Sequence, residues 1–320
     1  MLRWAQPAPL SLSSATERVA GLDLLRILAT VGIVWFHTEE APCRSIGYAG
    51  LPMFLLIFFA LIARQGPARS TRDFVRRRWD RLLMPWLFWS AVYGMSQLVK
   101  AACSADLGRL ERLLSLQTIF VGTSLHLWYL PYAFTSGLLI HLLNRRTWRI
   151  DNRPVVFVAT LTGVVILVVC TLGTRLRQYP PPWPQWEFGL AAIPLGLAIG
   201  RALTMPSRRA QVLMLSLACG VTVGTCAVLA FLRLGSPPVP YGVAILLVCL
   251  ACCGLVHGSG FVATVAPWTF GIYLIHPLVM YGQRQFLAAD THYVTSIALT
   301  TCFSGLITWG LMKTPLRRFV

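Results

Sequence analysis

The stretch PVVFVATLTGVVILVVCTLGT, residues 154–174, runs for 21 positions without a charge, between Arg153 and Arg175. As a helix rising 1.5 Å per residue it reaches about 31 Å, enough to cross the roughly 30 Å hydrocarbon core of a bilayer. Comparable apolar runs recur on both sides of it, at 20–38, 48–64, 82–100, 126–143, 187–204, 212–232, 240–257, 265–283 and 293–312. The whole chain is 56% hydrophobic and 12% charged, with a mean hydropathy of +0.65, more apolar surface than water tolerates on a domain of this size. The bilayer must be the solvent. The sequence therefore predicts an all-α polytopic membrane protein of about ten transmembrane helices, with one membrane-embedded domain filling residues 1–320.

Arg3 and Arg18 precede the first apolar run as they would in a secretory signal, but Asp23 and Arg26 interrupt it and no small-residue cleavage site follows. A net charge of +17 would point to nucleic acid in a soluble protein. Here it sorts by side instead, and no nucleic-acid partner is expected. If the N-terminus is cytoplasmic, nineteen Lys and Arg fall on that side, seven of them between Arg64 and Arg81, against eight on the other. The positive-inside rule then places both termini in the cytoplasm.

Most of the nine cysteines lie within apolar runs (Cys170, Cys219, Cys226, Cys249, Cys252, Cys253, Cys302) and read as small buried hydrophobes. Their spacing matches neither a disulfide framework nor a zinc site, even at the Cys249, Cys252, Cys253 cluster, so no metal is expected. The Pro/Trp-rich stretch Tyr179–Trp186 reads as an external loop at headgroup level that covers an acceptor groove. Leu107, Leu110, Leu113 and Leu114 share a helical face opposite Arg109 and Arg112, which predicts a short helix lying on the outer surface.

An ionisable group inside a span costs at least about 2.5 kcal/mol unless paired or hydrated, so such positions carry most of the functional information. Asp23 and Arg26 are three residues apart and can pair on one helical face. His37 lies eleven residues beyond Arg26, about 20° off that face and roughly 16 Å farther along it. The three line a stripe that leads across the membrane. Arg78 and Arg81 share a second face just before the third span, and the planar guanidinium fork suits phosphate oxygens, although a basic loop beside a span is also the ordinary topology signal. His126 and His276 fall at the outer ends of their spans, at the depth of His37, and three converging imidazoles suit an acid/base centre. Glu39 and Glu40 read as solvated loop carboxylates, with Glu40 the alternative partner for the His37 ring.

These residues resemble the acyltransferase-3 family of integral membrane acyltransferases, which O-acylate surface glycans. The opening Arg18-Val19-Ala20-Gly21-Leu22-Asp23-Leu24-Leu25-Arg26 is similar to that family's start, and Arg26, ten residues, then His37 is its signature spacing. Arg78 and Arg81 followed by Pro85, the segment His126-Leu127-Trp128-Tyr129-Leu130, and Gly271-Ile272-Tyr273-Leu274-Ile275-His276 look like its later motifs, in the expected order. One departure is Phe58-Phe59, where the family carries a Ser-Gly turn; two rings in place of two small residues are expected to narrow a channel.

The resemblance implies transfer of an acyl group, acetyl by default, from cytoplasmic acyl-coenzyme A to a hydroxyl of an extracytoplasmic glycan or lipid-linked sugar, in the bacterial cytoplasmic (inner) membrane. Acyl-coenzyme A would be a co-substrate, with no permanently bound cofactor and with membrane lipid as the surrounding partner. His37, Arg26 and Asp23 would be the catalytic residues, His37 as the base or acyl carrier and the other two farther down the same helical stripe; Arg78, Arg81, His126, Trp128, Tyr273 and His276 would bind donor or acceptor. Two rival readings remain. A proton-coupled carrier would use Asp23 and His37 for protons and consume no acyl-coenzyme A. An idle assembly partner would tolerate loss of His37.

Overall fold

The 154–174 run forms one uninterrupted helix, Asn152–Leu172, whose first turn is capped by the Asp151 carboxylate accepting from the Arg153 amide at 3.4 Å. The computed structural model describes residues 20–39, 41–68, 70–104, 108, 113, 115, 117–173, 179–235, 237–286 and 292–320, and every element in them is helical. In chain order the helices of eight residues or more are α1 (Ala20–His37), α2 (Gly50–Arg64), α3 (Thr71–Ser104), α4 (Tyr129–Thr147), α5 (Asn152–Leu172), α6 (Trp183–Leu190), α7 (Ala192–Ala202), α8 (Arg208–Phe231), α9 (Pro238–Cys252), α10 (Thr269–Phe286) and α11 (Tyr293–Met312); shorter helices at Arg44–Gly47 and Gly260–Val265 lead into α2 and α10, and a 3-10 turn at Pro315–Phe319 follows α11.

By length and composition, six helices among the described residues can cross a membrane: Arg44–Arg64, Thr71–Ser104, Asn152–Leu172, Arg208–Phe231, Gly260–Phe286 and Tyr293–Met312. Helices also stand where the other spans were expected, but α9 has only 15 residues and the expected 187–204 span is divided at Ala191 into α6 and α7.

Several expectations change. The third span begins at Thr71 rather than 82, so Arg78 and Arg81 sit on a helix and not in a basic loop. The Pro/Trp stretch is a loop only as far as Pro182. Trp183 starts α6 because Pro184 in its first turn needs no amide partner there, and Trp186 packs against Tyr132. Cys302 is exposed on the outside of the bundle rather than buried. The proposed surface helix through Leu107, Leu110 and Leu114, with Arg109 and Arg112, lies outside the described residues, as do Arg3, Arg18 and Glu40.

At the centre stands α2, packed against α7, α1, α9 and α4. Its approach to α7 is close because Gly196 faces Phe59 and Gly200 faces the Ala60 carbonyl and the Ala63 methyl; any larger residue at either glycine would meet those atoms. One arginine counted as a surface charge is buried. Arg201, 1% exposed, donates to Asn144 Oδ1 (3.2 Å), to the Thr147 carbonyl (3.0 Å), which also accepts from the Ile150 amide, and to the Ile150 carbonyl (3.1 Å) just past the end of α4. Replacing Arg201 by methionine removes the donor from the buried Asn144 Oδ1 and from the Ile150 carbonyl. The variant is expected to lose about 3 kcal/mol or more, read as a lower thermal midpoint in detergent, since each orphaned group costs about 1–3 kcal/mol.

Candidate active site

The first half of the site is built at the basic end of α3. Ser70 caps the helix, accepting from the Arg72 amide at 3.2 Å, and one widened turn, Trp79–Leu83, of π-helical form follows Arg78. That turn brings Arg78, Asp80, Arg81 and Leu82 onto the wall of a single cavity, a use of π-turns that recurs at functional sites. The cavity holds about 580 Å³ and is floored by side chains of α1 and α2, among them Ile33, Leu51, Phe54 and Phe58. Arg26 lines it as well, with its guanidinium 3.8 Å from the Asp23 carboxylate. An apolar space rimmed by guanidinium groups is suited to a ligand with an anionic head and a long neutral arm.

Tyr129 and Tyr273 also line this cavity, with ring centres 5.5 Å apart, and they separate it from a layer of histidines. The Tyr273 hydroxyl donates to the His126 carbonyl. His276 lies between the other two imidazoles, 5.5 Å from His37 and 5.8 Å from His126, centre to centre. Its ring orientation follows from Pro277. A proline has no amide hydrogen, so the carbonyl of Tyr273, four residues back in α10, is left without a helical donor. His276 Nδ1 takes that place at 2.7 Å. Because a carbonyl only accepts, Nδ1 carries the hydrogen and Nε2 presents a lone pair. The Nε2 atoms of His276 and His126 are both buried without a protein partner, whereas His37, the last residue of α1, is exposed.

Beyond the histidines, at the other end of α3, lies a second cavity of about 530 Å³. Gln97, Gln117, Thr118, Thr123 and Ser124 supply hydroxyls and amides to it, and Pro181 of the Pro/Trp stretch closes one side. Ser124 joins the two regions, since its hydroxyl is 3.0 Å from His126 Nδ1. Arg78 and Lys100, on the two cavities, are 22 residues apart on α3, about 33 Å of helix.

Most of the residues singled out in the sequence thus fall into two neighbouring groups. Asp23, Arg26, Arg78, Arg81 and Tyr273 gather on or beside the larger cavity, and His37, His126 and His276 form the layer above it. Trp128 joins neither; its indole is buried against Tyr132 and does not line the cavity. Glu39 pairs with Arg284 at 2.7 Å, away from the His37 ring. Phe58 stands on the cavity wall with the Arg78 guanidinium 5.0 Å from its ring centre, so a wall residue holds a cation and the space stays open. Phe59 is fully buried against α7.

Sequence reasoning passed over Tyr129, Phe58 as a cation platform, Pro277, and Arg317 and Arg318, which reach the larger cavity from the far end of the chain. Only Pro277 left a readable sign: a proline directly after a histidine inside a span frees a carbonyl within that histidine's reach.

A family model described as an acyltransferase domain matches residues 19–309, from just before α1 almost to the end of α11. No curated protein and no solved structure matches the chain. With its long apolar helices and with nine-tenths of its length inside that match, the chain belongs to the acyltransferase-3 family of integral membrane acyltransferases.

Proposed function

We propose that the protein carries an acyl group, acetyl by default, from acyl-coenzyme A at the basic, cytoplasmic end to a hydroxyl of a glycan or lipid-linked sugar at the opposite face of a bacterial inner membrane, on a chain that crosses ten times. One observation carries the reading: a histidine layer separates a guanidinium-rimmed apolar cavity from a cavity lined by hydroxyls and amides. The first suits a phosphorylated thioester with a pantetheine arm and the second a polyhydroxylated acceptor.

The coenzyme's phosphates lie on Arg78 and Arg81, and the arm extends past Arg26 toward Tyr273. His37 accepts the proton of the acceptor hydroxyl as that oxygen attacks the thioester carbonyl. The C–S bond breaks, its electron pair leaves with sulfur, and the imidazolium returns the proton to the thiolate. In the covalent variant His37 takes the acyl group first and the acceptor oxygen attacks the acyl-imidazole; the same bonds form and break overall. A burst of coenzyme A release preceding steady turnover distinguishes that route. His276, with its hydrogen fixed at Nδ1, keeps a lone pair beside the His37 ring.

The direct test is coenzyme A release from acetyl-coenzyme A and longer acyl donors by the purified protein in detergent, with crude envelope glycan as acceptor. Turnover that vanishes in His37→Ala supports the reading; no turnover by the wild type with any of these donors overturns it. Pro277→Ala gives a second expected result. It restores an amide that competes for the Tyr273 carbonyl, so His276 loses its fixed orientation. Turnover is expected to fall about tenfold, while the thermal midpoint stays level or rises because a proline has left the helix interior.

A further inference from the structure

We propose that Arg317 and Arg318, on the 3-10 turn after α11, complete with Arg78 and Arg81 a clamp for the phosphates of the donor nucleotide. The inference rests on the acyl-coenzyme A reading above and extends it to residues outside the family match, which stops at 309.

The turn is built and anchored, not a loose end of chain. Pro315 opens it, and the Thr314 hydroxyl caps it by accepting from the Leu316 amide at 3.1 Å. Phe319 stacks on Phe88 with ring centres 4.3 Å apart and planes 4° from parallel, and Trp89 Nε1 donates to the Phe319 carbonyl at 2.9 Å across 230 positions of sequence. Phe88 and Trp89 lie one to two helical turns beyond the π-turn that carries Arg81. Two guanidinium groups are thereby brought from the far end of the chain to the cavity that Arg78 and Arg81 already line.

Charge decides what the cavity can hold. Arg26, Arg78, Arg81, Arg317 and Arg318 line it, and among its described lining residues Asp80 supplies the side-chain carboxylate. Among the described residues neither Arg317 nor Arg318 pairs with a carboxylate; Arg318 rests over the Phe319 ring at 4.6 Å. Such an excess of cations around an apolar space suits a polyanion, and guanidinium forks bind phosphate oxygens two at a time. Arginines that only marked topology, or that only held anionic headgroups, would have no need to line a cavity reaching down to Tyr273.

The test compares the full chain in phosphatidylcholine nanodiscs, with and without phosphatidylglycerol, by competition of coenzyme A, 3′-dephospho-coenzyme A and pantetheine against labelled coenzyme A. In Arg317→Gln/Arg318→Gln the dissociation constant for coenzyme A is expected to rise at least about tenfold, and the preference for coenzyme A over pantetheine to collapse. Arg317→Lys/Arg318→Lys should lie between that variant and the wild type. Either single glutamine variant carries the same test should the pair fail to fold. Unchanged coenzyme A affinity in a folded glutamine variant overturns the clamp alone. So does unchanged affinity with less phosphatidylglycerol retained, which assigns the arginines to lipid headgroups. Absence of coenzyme A binding by the wild type overturns the clamp together with the donor reading.

Discussion

His37→Ala is expected to lower the rate of acyl transfer by about 10²–10⁴-fold, the usual worth of a positioned proton-transfer group, while leaving the thermal midpoint and the donor's KM nearly unchanged. The separation follows from position. His37 ends α1 and is exposed, so removing its ring opens no cavity in the core. His276 and His126 are buried in contact with Tyr273, and Tyr93 meets the His126 ring edge-on at 4.8 Å. Alanine at either is therefore expected to cost stability as well as turnover. His37→Gln, which keeps a polar group of similar size without a base, should be as inactive as His37→Ala. A glutamine variant that retained most of the activity would assign His37 to packing or binding.

The second large effect concerns the donor. Arg78→Ala/Arg81→Ala is expected to raise KM for acyl-coenzyme A by about 10²-fold or more with a smaller change in kcat, because each charge-assisted phosphate contact contributes about 1.5–3 kcal/mol and both act far from the reacting carbon. Phe58→Ala should show a weaker version, a KM about threefold to tenfold higher, since it removes only the ring on which the Arg78 guanidinium rests. The ordering of the three proteins is the discriminating result. A carrier that used these arginines only for membrane topology would show no such graded dependence on the donor.

Much of the fold was legible because the bilayer imposes simple rules on sequence. The uncharged run at 154–174 became α5 with little change of boundary, and the Arg26 to His37 spacing placed one residue on the basic cavity and the other in the histidine layer, as helical periodicity requires. The meeting of His37, His126 and His276 was legible from their shared depth alone. What escaped depends on contacts that hydropathy does not encode. Apolarity marks removal from water but does not distinguish lipid from protein, so Cys302 on the outside and Cys249 in the core looked alike. Arg201 looked like any basic residue after a span until its donors proved to reach Asn144 Oδ1 and the Ile150 carbonyl. The π-turn at Trp79–Leu83 and the break at Ala191 are local changes of register with no composition of their own. Arg317 and Arg318 are held at the larger cavity by a turn whose anchoring hydrogen bond spans 230 positions, beyond the reach of any local pattern.

In the proposed mechanism one histidine layer joins a donor on one side of the membrane to an acceptor on the other. Sealed vesicles of the reconstituted protein, loaded with acetyl-labelled acetyl-coenzyme A and bathed outside in crude envelope glycan, test it most directly, because the trapped donor selects molecules whose basic end faces inward. Label on the external glycan and free coenzyme A retained inside are expected, and neither with His37→Ala. Coenzyme A released while the label stays inside as acetate, or label that appears outside still attached to coenzyme A, would contradict it.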